Sequence, residues 1–393
     1  MFFSVLSIIF IKVRINVKWE QHKLGEVVSV FDGTHQTPNY KTKGIMFLSV
    51  ENINTLLSNK YISENEYRQR FKIKPQYLDV FMTRIGTIGK TNVITTHKPI
   101  AYYVSLALLR PQNIQSFFLS FIIQTSKVQQ DIWKRTLQIA FPQKINKDEI
   151  GKVTLALPLQ KEQIDIEKLL LKLDKLITLQ QRKLKQLERL KTAMLQQLLA
   201  NQRFPKVRFN DFKDSWKDYR LGEVFDEFSV KSKRENEYKL LSSTTSGMES
   251  RSGRVSGHSN IGYKVIDNGD IVLSPQNLWL GNINLNNMGK GIVSPSYHTF
   301  KIVNANPIFV NFQLKTEKML FEYKMVSVQG ASVVRRNLDM DAFKKIVIKI
   351  PNEKEQIKIA SLFSSISNII NNHQNKLTQL STLKKYLLQK MFI

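Results

Sequence analysis

Two stretches of the chain repeat apolar residues at steps of three and four, the spacing of a helix that buries one narrow face. The mean step of about 3.5 residues, kept over about four heptads, predicts a coiled-coil helix in each stretch. The fifth and eighth positions are polar in both series, as Gln180/His373 and Lys191/Lys384. The series are Ile166, Leu170, Leu173, Ile177, Gln180, Leu184, Leu187, Lys191, Met194 and Leu198, and then Ile359, Phe363, Ile366, Ile370, His373, Leu377, Leu380, Lys384, Leu387 and Met391.

Each predicted helix needs a partner for its apolar face. At 1.5 Å per residue, about 36 residues span about 54 Å. The other copy of the helix is the expected partner, because coiled-coil faces prefer a second helix. Antiparallel packing would place two globular units at opposite ends of a rod. The alternative is that each helix packs on its own globular domain.

The two helices belong to a longer internal repeat. Residues 19–31, WEQHKLGEVVSVF, return as WKDYRLGEVFDEF at 216–228, and LPLQKEQI at 157–164 returns as IPNEKEQI at 350–357. The chain is therefore predicted to run domain, helix, domain, helix. The predicted boundaries are 1–18 for an atypical N-terminal lead, 19–160 for the first domain, 161–200 for the first helix, 201–353 for the second domain and 354–393 for the second helix.

Between the repeated segments the pattern changes to short β-rich runs punctuated by glycine. These runs are 44–50, 79–94 and 101–110 in the first unit, and 264–275, 282–285 and 297–303 in the second. Short helices are predicted within 115–133 and 306–325. The predicted fold class is α/β (α+β): two globular mixed α/β domains separated by two long antiparallel coiled-coil helices, with a pseudo-two-fold internal repeat.

The charge of the chain points to a polyanionic partner. Lys and Arg number 59 against 32 Asp and Glu, which gives a net charge of +27 over 393 residues. The excess is spread over both domains and both helices. Nucleic acid is favoured over membrane as the partner, and the alternative is a basic protein without such a partner.

The N-terminal apolar run, from Met1 to Ile11, ends at Lys12 and Arg14. A membrane-spanning helix needs about 20 apolar residues, so this run is too short. A signal peptide carries its positive charge before the apolar run, whereas here the charge follows it. We therefore expect a cytoplasmic protein with no membrane association.

Motifs for catalysis are absent or broken. The chain has no cysteine, and its six histidines are scattered, so a metal site is not expected. RIGTIGKT at 84–91 has Arg84 where a phosphate-binding P-loop needs glycine. NPIF at 306–309 has Ile308 where the Asn-Pro-Pro-aromatic motif of amino-methyltransferases has proline. A basic two-domain chain of this kind is interpreted as a recognition protein and not an enzyme.

The repeated motifs resemble those of the specificity (S) subunit of type I restriction–modification systems. The resemblance covers the chain from about Trp19 to its end and rests on the motifs in their duplicated order. It is carried by the doubled W-x4-LGEV and P-x2-KEQI segments, by DGTHQTPNYKTKGIMFLSVENI at 32–53 and RIGTIGK at 84–90, and by YKVIDNGDIVLSP at 263–275 and GKGIVSPSYHTFKI at 289–302.

The resemblance implies two target recognition domains, each reading one half of a bipartite sequence in double-stranded DNA, with the helices as a spacer of fixed length. It implies no cofactor on this chain. Methyltransferase (modification) subunits would bring S-adenosylmethionine, and restriction/translocase subunits would use ATP. The helices and the KEQI segments are where we expect the modification subunits to bind. The N-terminal lead departs from the family, since RFPKVRFNDFKDSW at 203–216 has no counterpart before Trp19.

Base reading requires polar side chains on loops of a rigid scaffold. Tyr102 and Tyr103 could stack on DNA or pack in the core, and Trp279 beside the second-domain candidates could be buried. The candidates in the first domain are Thr34, His35, Thr37, Asn39 and Tyr40, with Lys41 and Lys43 for phosphate, and the turn residues Arg84, Thr87 and Lys90. Those in the second domain are Ser243, Thr244, Thr245, Arg251, Arg254, His258, Asn277, Asn282, Arg335, Arg336 and Asn337.

Two other functions remain open from the residues alone. A single-chain DNA methyltransferase or nuclease would bind its cofactor without other subunits. A non-specific basic scaffold would bind all DNA alike after competitor is added.

Overall fold

The structure, a computed structural model, describes residues 19–199, 201–251, 259–330 and 335–392. The chain divides into two compact units. Unit 1 comprises the chain up to Gln180 together with the segment from Lys376, and unit 2 comprises Gln181–Asn375. Each unit therefore contains one globular domain and parts of both long helices.

Unit 1 contains nine short strands, five short α-helices and one 3-10 helix (Val50–Asn52) before the first long helix in its described part. The strands are β1 (Glu20–Lys23), β2 (Val28–Asp32), β3 (Ile45–Leu48), β4 (Tyr61–Ile62), β5 (Val80–Thr83), β6 (Thr91–Val93), β7 (Ile100–Tyr102), β8 (Leu106–Pro111) and β9 (Thr154–Leu157). The helices are α1 (Leu24–Val27), α2 (Glu64–Arg70), α3 (Ser116–Ile123), α4 (Ser126–Lys134), α5 (Lys147–Gly151) and the long α6 (Gln160–Leu198).

The strands of unit 1 form two sheets and a two-stranded ribbon. The larger sheet has the order β2-β8-β5-β6 and is antiparallel throughout. The smaller sheet, β4-β3-β7, pairs β3 with β7 in parallel. The ribbon joins β1 to β9, with Glu20 opposite Leu157. The first and last strands of the domain therefore lie side by side.

Unit 2 repeats this plan. Its strands are β10 (Lys217–Arg220), β11 (Phe225–Phe228), β12 (Lys239–Ser243), β13 (Met248–Ser250), β14 (Lys264–Ile266), β15 (Ile271–Leu273), β16 (Ile283–Leu285), β17 (Gly291–Val293), β18 (His298–Ile302), β19 (Ser327–Gln329), β20 (Arg336–Leu338) and β21 (Val347–Ile350). Its helices are α7 (Leu221–Val224), α8 (Pro307–Gln313), α9 (Glu317–Met325), α10 (Met340–Lys345) and the long α11 (Glu353–Lys390), and a short 3-10 helix covers Pro275–Leu280.

The sheet order of unit 2 matches that of unit 1. The sheet β11-β18-β15-β16 corresponds to β2-β8-β5-β6, and β10 pairs with β21 as β1 pairs with β9. The parallel pair β12–β17 corresponds to β3–β7. The main differences are the added strand β14 and the hairpin β19–β20 in unit 2, and helix α2 in unit 1. The mixed α/β class and the internal repeat are thus confirmed at the level of topology.

The repeated LGEV segment forms the one-turn helices α1 and α7. The carboxylate of Glu26 accepts a hydrogen bond from the backbone N–H of Lys23 (3.0 Å), which caps the helix. Glu223 does the same for Arg220 at 2.7 Å. A Cβ on Gly25 would lie 3.2 Å from the carbonyl oxygen of Gly151, so the close approach of two backbones favours glycine there. LGEV is therefore a folding motif.

The long helices bury the predicted apolar face. Every one of the twenty predicted positions is buried or half-buried, and most intervening positions are exposed. In unit 1, Leu380 and Leu387 of α11 join Ile166, Leu170 and Leu173 of α6 in one core that includes the globular domain. In unit 2, the end of α6 joins the start of α11 in the same way. The start of each helix therefore packs with the end of the other and also on its own domain, so both predicted kinds of partner are found.

The KEQI glutamines connect each long helix to its globular domain. Gln163 donates from Nε2 to the carbonyl of Pro158 (3.0 Å) and accepts from the N–H of Gln115 (3.2 Å). Gln356 donates to the carbonyl of Pro351 (2.9 Å) and accepts from the N–H of Asn306 (2.7 Å). Both glutamines are buried. The two glutamines hold the domain, whereas other residues of these segments, such as Ile357, are exposed, and binding of the modification subunits here stays a prediction.

Candidate nucleic-acid interface

The loop after β2 presents the first group of candidates on an anchored backbone. Gly33 packs so closely on the backbone of Tyr102 that a Cβ would lie 2.5 Å from its carbonyl oxygen. At the far end, the N–H of Lys41 donates to the carbonyl of Tyr61 (2.8 Å). Between these anchors the loop lies at the surface. Its exposed candidates are His35, Thr37, Asn39, Tyr40, Lys41 and Lys43, and Thr34 is half-buried.

Aromatic and cationic groups meet at Tyr40. Its ring lies 5.6 Å from that of Phe47, and the Lys60 ammonium lies 5.5 Å above its centre. Lys60 also pairs with Glu51 at 2.8 Å, and that hydrogen bond raises the pKa of Lys60. Lys60 was not among the sequence candidates, and only the fold brings it to this loop. The Lys60–Tyr40 pair is a cation–π contact at the surface beside this loop.

The two tyrosines at the end of β7 differ in environment. Tyr102 is fully buried, and its hydroxyl donates to the carbonyl of Asp32 at 3.0 Å. Burial raises the pKa of Tyr102. Tyr103 is half-buried, with its ring 6.4 Å from Phe47. Of the two alternatives for these tyrosines, stacking on DNA or packing in the core, Tyr102 therefore follows the second.

The turn between β5 and β6 contains Arg84, Thr87 and Lys90. Thr87 and Lys90 are exposed, and their contact with DNA stays a prediction. Arg84 is buried: its guanidinium donates to the carboxylate of Asp32 and, through Nε, to the carbonyl of Ile145 (3.1 Å). A charge paired inside the domain is not available to a phosphate. The expectation for Arg84 is corrected accordingly, because its role is to hold the turn.

Two candidates of the second domain also lie inside it. Ser243 donates from Oγ to Oδ1 of Asn282 (2.6 Å) and accepts from Nδ2 of Asn284 (2.7 Å). Asn284 also donates to the carbonyl of Thr244 (2.7 Å) and accepts from the ammonium of Lys315. Ser243 and Asn282 are buried, so they are corrected from surface contacts to supports of the loops above them.

Lys315 is the charged end of this network. Burial, with the nearby Lys191 ammonium as a smaller cause, lowers the pKa of Lys315 to about 8. Burial also lowers the pKa of Lys191. Among the described residues no carboxylate forms an ion pair with either lysine.

The hairpin β12–β13 presents the next candidates. The N–H of Thr244 donates to the carbonyl of Gly247 (2.9 Å), which closes the turn. Thr245 and Arg251 are exposed and Thr244 is half-buried. The sequence predicted a polar stretch here, whereas part of it forms strands. Arg254 and His258 lie outside the described residues.

The remaining candidates fall at two places. Asn277 and Trp279 lie half-buried in the 3-10 helix, and Trp279 packs on the core of unit 2. Arg336 begins β20, and its guanidinium donates to Oγ (2.9 Å) and the carbonyl (2.6 Å) of Ser327. Arg335 and Asn337 are exposed beside it. Arg336 therefore fixes the hairpin β19–β20, while its neighbours face solvent.

Sequence reasoning missed residues 137–144, which we call the 137–144 loop. The backbone of Ile85 bridges to Lys144, and the N–H of Gly86 donates to the carbonyl of Gln143 (2.9 Å). The loop is thereby joined to the turn that carries Thr87 and Lys90. A signal was present in the sequence, because residues 132–147 contain four cations and no carboxylate.

Two searches of the described residues gave no further site. They contain no cluster of three side chains suited to hold a metal ion. No helix within the described ranges has the length and apolar character needed to cross a membrane.

Comparison with known proteins gave concordant matches. The sequence model of the type I restriction modification DNA specificity domain matches twice, at residues 16–189 and 213–382. A putative type I restriction enzyme MjaX specificity subunit from Methanocaldococcus jannaschii is 22% identical over 400 residues, covering 94% of this chain and 92% of that protein.

Solved structures show the same fold. The S subunit of a type I restriction–modification system from M. genitalium superposes with a TM-score of 0.61 at 12% identity, covering 97% of both chains. A chain from a study of complex assembly and conformational transition of the type I R-M system has a TM-score of 0.54 at 13% identity, covering 95% of this chain and 97% of that one.

Proposed function

The chain belongs to the family of type I restriction–modification DNA specificity subunits, with two target recognition domains, and from this premise we propose that it reads a split DNA sequence, one half with each domain. The observation that carries the proposal is the duplicated sheet order with different loops mounted on it. A shared sheet order would give the two domains equivalent reading surfaces. Different loop residues then allow the two half-sites to differ.

The exposed candidates support contact with DNA. His35, Thr37 and Asn39 offer donors and acceptors for base edges, and Lys41, Lys43 and Lys90 offer charge for phosphates. The net charge of +27 favours a polyanion over the whole chain. Binding by a chain with this charge weakens steeply with added salt.

Partner subunits supply the chemistry in this proposal. Methyltransferase subunits bring S-adenosylmethionine and restriction/translocase subunits use ATP, while this chain acts in recognition, in the cytoplasm. In each unit the long helices keep apolar side chains exposed away from the buried face, which suits contact with another protein. These side chains are Leu176, Leu179, Leu190, Ile357, Ile369 and Tyr386.

The test is genome-wide methylation measured by single-molecule sequencing in cells that carry a cognate modification gene with or without this gene. We expect a split motif with a fixed gap to be methylated only when this chain is present. Asn39→Ala and Lys90→Gln test single side chains of the first domain. Both side chains are exposed, so removing either one leaves the core intact.

Absence of any dependent motif, although the subunits co-purify, would contradict the proposal. Methylation by the isolated chain would instead make it a single-chain methyltransferase. Equal binding to all duplexes in the presence of competitor would reduce it to a non-specific scaffold.

A further inference from the structure

The 137–144 loop exposes its largest apolar side chains completely. Ile139 and Phe141 have the full solvent exposure of isolated residues, and Leu137 is also exposed. Burying a side chain such as Phe or Ile is favourable by about 1.5–3 kcal/mol, so leaving both in water forgoes a considerable free energy. In the isolated chain, these two side chains therefore contribute no burial free energy to the fold.

The base of this loop is held firmly. The N–H of Leu137 donates to the carbonyl of Lys144 (2.8 Å), which closes the loop on itself. Below it, the N–H of Ile145 donates to the carbonyl of Arg84 (3.0 Å), and the Arg84 guanidinium returns a bond to Ile145. Ile145 is buried. The apolar tip is therefore mounted on the same buried arginine that holds the turn of Thr87 and Lys90.

The surroundings of the tip are cationic. Residues 132–147 contain three exposed lysines, Lys134, Lys144 and Lys147, and no carboxylate. Arg135 lies in the same stretch, but it is paired with Asp131 (3.1 Å) and Glu149 (3.4 Å) and does not contribute free charge to the rim. Lys90 on the adjoining turn is exposed as well. An apolar tip within a cationic rim complements a partner with an anionic outside and an apolar inside. Duplex DNA has this character, with phosphates outside and stacked bases within.

We propose that Ile139 and Phe141 form an apolar wedge that enters the DNA groove and partly unstacks a base step in the half-site bound by the first domain. The proposal rests on the function proposed above and adds its mode of contact. The cations of the rim hold the backbone on either side while the two side chains replace base-stacking contacts. A step that unstacks easily would be preferred, so the wedge reads deformability and not base edges.

A protein partner is the competing occupant of this tip. The surface of such a protein would need an acidic rim to match Lys90, Lys144 and Lys147. The connection to the turn of Thr87, whose exposed side chains are polar and cationic, favours DNA instead. The experiment below separates the two.

The test uses the full chain assembled with its modification subunits. The DNA is a duplex that carries the split motif identified by the methylation experiment above. 2-Aminopurine is placed at successive positions of the first half-site, because its fluorescence rises when the base unstacks. We expect a several-fold rise at one or two neighbouring positions with the wild type. Ile139→Ala/Phe141→Ala should abolish the rise and weaken binding about tenfold, a change of about 1.4 kcal/mol.

Matched variants complete the design. Leu57→Ala removes an apolar side chain that is exposed elsewhere in the same unit, and it should leave both signals unchanged. Phe141→Trp keeps an aromatic wedge and should retain the rise. The double variant removes no charge, so the salt dependence of its binding should keep the wild-type slope, whereas Lys144→Gln should reduce the slope by about one unit.

The outcomes separate the two proposals. If the wild type shows no preference for the motif duplex, the proposed function fails. If the wild type binds that duplex but 2-aminopurine does not respond at any position, or if the double variant matches the wild type, the wedge fails alone. If the double variant loses the modification subunits and its DNA signal per assembled complex is intact, the occupant is protein and the wedge is overturned.

Discussion

The two repeats have the same sheet order, but they balance buried charge differently at equivalent positions. At the start of α11, Glu355 is fully buried and receives two hydrogen bonds from Arg208, each of 2.7 Å. At the start of α6, the equivalent Glu162 has a hydrogen bond from Trp19, and burial raises its pKa. Arg208 lies in the segment that precedes the second repeat, whose counterpart lies outside the described residues. Among the described residues, an ion pair of this kind therefore fixes the helix start in unit 2 alone.

A second difference lies along the buried face of the helices. In unit 1, Lys384 lies 5.4 Å from the ring centre of Phe121 and pairs with Asp174 at 2.6 Å. In unit 2, the equivalent Lys191 lies 5.6 Å from Phe312, but Ser367 stands where the aspartate would be. The Oγ of Ser367 is buried without a partner among the described residues.

These differences show which part of a repeat is constrained. Backbone contacts such as the LGEV turn are kept in both copies, where Glu26 and Glu223 cap the turn in the same way. The pairing of buried charges depends on single side chains, and it differs between the two units. Unit 2 therefore has a buried ion pair at its helix start together with two desolvated lysines, Lys191 and Lys315.

The largest expected effect follows from breaking the Arg208–Glu355 pair. Glu355→Gln leaves the half-buried guanidinium without its countercharge and should destabilise unit 2 by about 3–5 kcal/mol. Glu162→Gln is the matched control, and it should leave unit 1 unchanged or slightly more stable because the raised pKa shows that the charge is disfavoured there. Urea unfolding followed by hydrogen exchange of peptides from each unit measures both. Equal losses of unfolding free energy in Glu355→Gln and Glu162→Gln would contradict this difference between the two units.

An intermediate effect is expected at Lys315 and depends on pH. Its pKa is lowered from 10.5 to about 8, so between these values the folded protein has lost a proton that the unfolded chain retains. The stability of unit 2 should therefore rise as pH increases from about 8 to about 10.5. Lys315→Met should remove the part of this rise that Lys315 causes, leave the part due to the lowered pKa of Lys191, and stabilise unit 2 at pH 7 by at most about 3 kcal/mol. Melting curves across the pH range test it, and an unchanged slope in the variant would contradict it.

The smallest effect comes from exchanging the two helix arrangements. Ser367→Asp supplies Lys191 with the partner that Lys384 has, and it should stabilise unit 2 by about 1 kcal/mol. Asp174→Ser performs the reverse change and should destabilise unit 1 by a similar amount. Thermal unfolding at low and high salt provides the measurement. Effects of the same sign in both units would show that the two positions are not equivalent.

Local patterns were sufficient to predict the long helices and the strands within the six β-rich runs, which are nine of the 21 strands in the described residues, because each of these elements is encoded within a short window. Burial of polar side chains was not predictable, since their partners are distant in sequence. Arg84 finds Asp32 52 residues away, and Ser243 finds Asn282 39 residues away. The sequence showed that LGEV repeats but not that Gly25 meets Gly151. Exposed apolar residues such as Phe141 were missed because apolar character normally indicates a core.

The ribbon of β1 and β9 has a consequence for how such genes change. Glu20 lies opposite Leu157 in the ribbon, so the first and last strands of the first recognition domain are adjacent. A segment with adjacent ends can be replaced as a unit without changing the remainder of the fold. Recombination at the two ribbon strands would therefore exchange the entire first reading surface in one event. Such an exchange would leave the residues of both long helices unchanged.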